Sequence, residues 1–166
     1  MAQGTGQHNV VPGGGAPDED RLTEHRLIEL RVAATVGNLA VLRTLVAAAA
    51  TFEDLDYDAV SDLRLAVDEA CTRLVQAAVP NSTLVVRIDP RDDAFVVHAS
   101  TTCESPDDAI VTPGSFSWHV LSSLTDEVST FIDGVDARGG ALDGHRAAES
   151  RVFGISLTAR RTSLLR

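Results

Sequence analysis

Aromatic side chains are scarce in this chain: they make up 4 % of it, with one Trp and one Tyr. A core must therefore come from Leu, Val, Ile and Ala, which the 44 % hydrophobic content supplies. The 166 residues suffice for one domain with a real core. Cysteine is scarce too. Cys71 and Cys103 stand apart, with no CxxC and no Cys/His cluster, so no metal site is expected. No run approaches the roughly 18 apolar residues of a membrane span. The N-terminus lacks the basic and apolar regions of a secretory signal. A reducing cytoplasm is the expected setting.

Positive charge is also short. Lys+Arg number 14 against 24 Asp+Glu, a net charge of −10. Non-specific nucleic-acid binding needs clustered cations, so direct contact with nucleic acid is not expected. Such acidity suits a basic protein partner, or simply aids solubility.

Residues 1–24, rich in Gly, Pro and polar residues, cannot bury a face and read as a disordered tail. The single domain is expected over 25–161, with a frayed end at 162–166. "HRLIELRVAA" alternates as a strand does. Thr35 is placed to cap a first helix through "VGNLAVLRTLVAAAA", with Leu39, Leu42, Val46 and Ala49 on one face. Asp56 or Asp58 caps a second, at about 58–79, whose apolar stripe is Val60, Leu63, Val67, Ala70 and Leu74. "TLVVRID" and "AFVVHAS" flank "PRDD", a hairpin signal. A polar loop at 101–114 leads to a third helix, "SFSWHVLSSLTDE", with Phe116, Val120 and Leu124 on one side. Two strands, "VSTFID" and "RVFGISLTARR", close the chain around a Gly-rich loop. The order β-α-α-β-β-α-β-β predicts an α+β two-layer sandwich, a mixed, mostly antiparallel sheet with three helices on one face.

The second helix carries the chemistry. In "LRLAVDEACTRLV", Asp62, Ala66, Glu69 and Arg73 share a face beside the apolar stripe. A carboxylate at that boundary can serve as a general base. From spacing alone the simpler reading is an i,i+4 ion pair on the helix. Trp118 is expected to pack in or against the core, and Cys71 to be a small core residue. Cys103, in the expected loop, could be an exposed thiol.

"LAVDEACTRLV" resembles the N-box helix of the GHKL (Bergerat-fold) ATP-binding superfamily. Within it, the pattern D/S-E-A-C-T-N-A/L-V is that of RsbW/UsfX-type anti-sigma-F factors. "TFEDLDYDAVSDLRLAVDEACTRLV", "PGSFSWHVL" and "DEVSTF" extend the likeness over roughly 25–161. The resemblance implies an anti-sigma factor that sequesters an alternative sigma factor of stress or sporulation type. It also implies a homodimer through the first strand and the start of the first helix, and release by a STAS-type anti-anti-sigma partner. It further implies contact with partners by Arg43, with Glu29 and Arg31 adding to that surface.

The alternative it carries is a serine kinase using Mg-ATP on that antagonist. On that pattern Glu69 stands at the catalytic position, and Arg73 stands where a Mg²⁺-holding Asn belongs. Gly114, Ser115 and Ser117 replace the phosphate-facing G-x-G, and no DxGxG box follows the hairpin, Asp107 and Asp108 lying too far along. A guanidinium has no lone pair for Mg²⁺. ATP and Mg²⁺ are thus expected to bind weakly or not at all.

Overall fold

The computed structural model describes residues 26–104, 111–133 and 150–162. The expected tail, 1–24, lies outside them. Eight elements follow in chain order: strand β1 (Ile28–Ala33), helices α1 (Leu39–Phe52) and α2 (Tyr57–Ala77), strands β2 (Thr83–Pro90) and β3 (Ala94–Cys103), helix α3 (Phe116–Leu124), and strands β4 (Glu127–Asp133) and β5 (Arg151–Arg160). The sheet order is β1-β2-β3-β5-β4, with every pairing antiparallel. The expected mixture thus resolves to a purely antiparallel sheet, as short hairpin connections favour.

One core lies between sheet and helices. Leu84, Val86 and Ile88 from β2, Phe95, Val97 and Ala99 from β3, and Ile155 and Leu157 from β5 point to one side. They meet Leu42 and Val46 of α1, Leu63, Val67 and Leu74 of α2, and Leu121 of α3. The period of 2 on the strands and of 3.6 on the helices brings these residues onto facing surfaces. α2 lies over the middle of the sheet, α1 toward the β1 edge and α3 toward the β4 edge.

The opposite sheet face is polar, and one device on it is specific. Phe131 of β4 sits opposite Gly154 of β5. A Cβ at Gly154 would come within 2.1 Å of the Phe131 ring, so glycine is required there. The ring then meets His98 edge-on, with centroids 6.3 Å apart.

Several local expectations change. Thr35 caps no α-helix: a 3-10 turn at Val36–Asn38 comes first, and neither Thr35 nor Asn38 caps through its side chain. Asn38 instead donates back to the Ala33 carbonyl, at 2.9 Å, fastening the turn to β1. Asp56, not Asp58, caps α2, accepting from the Ala59 amide at 2.8 Å. β3 runs three residues into the expected loop because β5 pairs with it as far as Cys103. Thr101 is buried on this extension, and its hydroxyl donates to the Thr83 carbonyl at 3.0 Å.

Cys103 is therefore no exposed loop thiol. It is buried at the end of β3, and burial raises its pKa. Cys71 is buried as expected, its thiol pushed up to about 12, first by burial and then by the charge of Asp68. In α3 the buried residues are Ser117 and Leu121, and Leu124 of the expected face packs against the core, while Phe116 is 78 % exposed. Ser115 starts the helix as its cap, which rotates the face, and the inward Ser117 finds a polar partner on α2. Trp118 packs against the core.

Candidate functional site

Glu69 sits midway along α2, on the flank that faces α3. Its Oε1 accepts from Arg73 Nε, at 2.8 Å, and from Ser117 Oγ, also at 2.8 Å. The first bond is the i,i+4 pair that the helix spacing implies. The second crosses 48 residues of sequence and joins α3 to α2. Ser117 is 4 % exposed, so this bond satisfies a buried hydroxyl. Burial raises the pKa of Glu69, but the hydrogen bonds from Arg73 and Ser117 and the Arg73 charge outweigh it and leave the pKa below the ordinary value. This carboxylate is ionised and already saturated with donors on one oxygen, unlike a base raised toward neutrality.

Ser115 and Gly114 flank this contact. Ser115 Oγ accepts from the Trp118 amide at 3.2 Å, so the hydroxyl is engaged in capping α3. Gly114 adopts φ +90°, a conformation open to glycine at little cost, in the turn before the helix. The structure therefore brings Glu69, Arg73 and Ser117 into one cluster and puts Gly114 and Ser115 at the mouth of α3. Asp107 and Asp108 lie outside the described residues.

The partner residues lie elsewhere. Arg43 of α1 reaches Asp68 of α2, Nη1 to Oδ1 at 3.0 Å, on the flank of α2 opposite Glu69. Glu29 and Arg31 of β1 sit on the polar sheet face, joined at 2.5 Å. Arg87 of β2, directly opposite Glu29 in register, binds its other oxygen at 2.6 Å. Glu29 is held below the usual carboxylate range, first by the Arg87 bond and then by Arg31. Asp68 and Arg87 escaped the sequence reading. The cross-strand pairing of Glu29 with Arg87 arises where β1 meets β2 across the two intervening helices, so no hairpin register announces it. Nothing local announces that Asp68 meets Arg43.

The model of the "Histidine kinase-like ATPase domain" family matches residues 32–138. Two relatives, each an "Anti-sigma-F factor RsbW" from Mycobacterium tuberculosis, strains CDC 1551 / Oshkosh and ATCC 25618 / H37Rv, are 52 % identical over 160 residues. The match covers 92 % of this chain and 88 % of each relative. This chain belongs to the RsbW-type anti-sigma group of that family. The family is one of nucleotide-binding domains, so Mg-ATP must be tested against the residues present.

On the resemblance, the residues at three positions depart from what Mg-ATP would need. Arg73 has no lone pair to offer a magnesium ion. Glu69, the residue at the base position, is bound by Arg73 and Ser117. Ser115 spends its hydroxyl on the α3 cap. Among the described residues no group of three or more His, Cys, Asp or Glu could hold a metal ion.

Proposed function

We propose that this protein is an anti-sigma factor that works by partner binding. It sequesters an alternative sigma factor, of the sigma-F-like stress or sporulation class, and gives it up to a STAS-type anti-anti-sigma factor. The observation that carries this reading is the 52 % identity to anti-sigma-F factors across nearly the whole chain. The Glu69–Arg73–Ser117 cluster favours binding over phosphotransfer, because the would-be base is an internal ligand. The serine-kinase alternative is not favoured.

The surface supports a homodimer. β1 is the edge strand of the sheet, with no further strand beside it among the described residues. Beside it, on the flank of α1 away from α2, Ile28, Val36, Val41 and Leu45 are exposed. An apolar strip along an open edge is the kind of surface that a second copy covers. The Glu29–Arg31–Arg87 group adds charge on the polar face of the same edge strand. One domain over 25–161, with no direct nucleic-acid contact and a cytoplasmic setting, completes the reading. Among the described residues no helix is long and apolar enough to cross a membrane.

The test is nucleotide-free assembly. The purified chain, mixed with each alternative sigma factor of its organism, is run through gel filtration without ATP or ADP. A stable complex that blocks run-off transcription from the matching promoter is the expected result. A complex that forms only when Mg-ATP or ADP is added would return the kinase to first place.

A further inference from the structure

The chain has seven aromatic residues, five Phe, one Trp and one Tyr. Two of them are the most exposed large hydrophobic residues of the described structure: Phe52, 85 % exposed, and Tyr57, 84 % exposed. Phe52 ends α1 and Tyr57 begins α2, so both stand at the same turn. Leaving two rings in water forgoes substantial burial in a chain so poor in them.

The turn that carries them is held from several sides. Leu55, between them, is buried in the core. Asp54 takes φ 58°, a left-handed conformation that Asp tolerates better than most residues. Asp56 caps α2 and meets Thr162 Oγ1 at 3.1 Å. Glu53 accepts from Arg26 and, at 3.0 Å, from Arg161, while Arg161 also donates to the Glu53 and Arg91 carbonyls. Arg161 thereby ties the α1–α2 turn to the β2–β3 hairpin. A backbone turn fixed in place lowers the ordering cost of binding through the rings it carries.

The charge around the rings selects the occupant. Asp54 and Asp58 are exposed, and neither has an ion pair among the described residues. Asp92 of the β2–β3 hairpin is fully exposed nearby, 3.9 Å from Arg26. Arg26 and Arg161 are already engaged by Glu53. A polyanion is repelled here. A cationic segment is attracted, since its Lys or Arg stems can lie on the rings and its charges can meet Asp54 and Asp58.

We infer that the Phe52–Tyr57 corner docks a basic segment of the sequestered sigma factor. The inference rests on the anti-sigma reading above. A protein that contacts promoter DNA must present cations to phosphates. An acidic corner with two exposed rings on a well-held turn can take up such a segment and keep it from DNA.

The test titrates the full chain, fluorescently labelled, with each alternative sigma factor of its organism at low and raised salt. Phe52→Ser and Tyr57→Ser should each weaken binding about tenfold or more. The paired Asp54→Asn and Asp58→Asn variant should flatten the salt dependence. Phe116→Ser, at an equally exposed ring on α3, should leave affinity unchanged. None of these side chains lies in the core, and circular dichroism checks that each variant folds. Binding equal to wild type by the Phe52→Ser/Tyr57→Ser double variant overturns the corner and leaves the anti-sigma reading standing. An equal loss with Phe116→Ser also overturns it, since the effect would not belong to the corner. No binding of any sigma factor by the wild type overturns both.

Discussion

Asp68 and Glu69 are neighbours in sequence with opposite fates. Asp68 turns to α1 and pairs with Arg43 at 3.0 Å, both side chains more than a third exposed. Glu69 turns to α3, is less exposed, and receives two donors on one oxygen, from Arg73 and the buried Ser117. One helix thus carries a solvent-screened tie on one flank and an internal anchor on the other. Chemistry alone does not separate the two carboxylates; the helix phase and the neighbours that it meets do. A carboxylate held by two donors, with its pKa lowered, is a weaker base than a free one.

Mutation should separate the two flanks. Glu69→Ala leaves Arg73 and the buried Ser117 hydroxyl without their acceptor, and should cost about 2 kcal/mol of stability. Urea unfolding followed by circular dichroism measures it; a loss no larger than that of Asp68→Asn would erase the contrast. Ser117→Ala removes one of the two donors and should cost about 1 kcal/mol in the same assay. Asp68→Asn should cost roughly 0.5 kcal/mol or less, because exposed pairs are screened. Raising salt from 50 mM to 500 mM should shrink that small difference further while leaving the Glu69→Ala loss largely intact.

pH sharpens the contrast. The folded-state pKa of Glu69 lies below its ordinary 4.5. A depressed carboxyl contributes stability above its unfolded pKa and loses it as pH falls through the folded one. The stability difference between wild type and Glu69→Gln should therefore be constant from neutrality down to about pH 5. It should narrow below about pH 4.5. A difference that grows on acidification would mean that Glu69 is held protonated.

Much of the fold was readable because the patterns are local. Leu63, Val67, Ala70 and Leu74 announce a helix face, and "TLVVRID" and "AFVVHAS" announce a hairpin, without help from distant residues. The element order follows from these, and so does the two-layer arrangement. The misses share a different cause. β3 continues to Cys103 because Arg151 of β5, far along the chain, pairs with it and the segment after α2 bridges to it at Ala78. The third helix was read one residue out of phase because Ser117 looks like a surface residue until Glu69 is placed beside it. In the site, the Glu69–Arg73 pair was legible as an i,i+4 spacing, and the broken nucleotide boxes were legible by likeness. Ser117 as a donor to Glu69, and Asp68 as the partner of Arg43, were not, since both contacts are made only by helix packing.

We propose that Glu69 serves as an internal ligand of Arg73 and Ser117 and not as a base. Isothermal titration of the wild type and of Arg73→Asn with Mg-ATP tests it most directly. No heat from the wild type up to millimolar nucleotide is the result that this account expects, whether or not Arg73→Asn regains binding. Micromolar binding by the wild type, abolished in Glu69→Ala or Arg73→Ala, would contradict it and mean that the pocket has been rebuilt around Arg73.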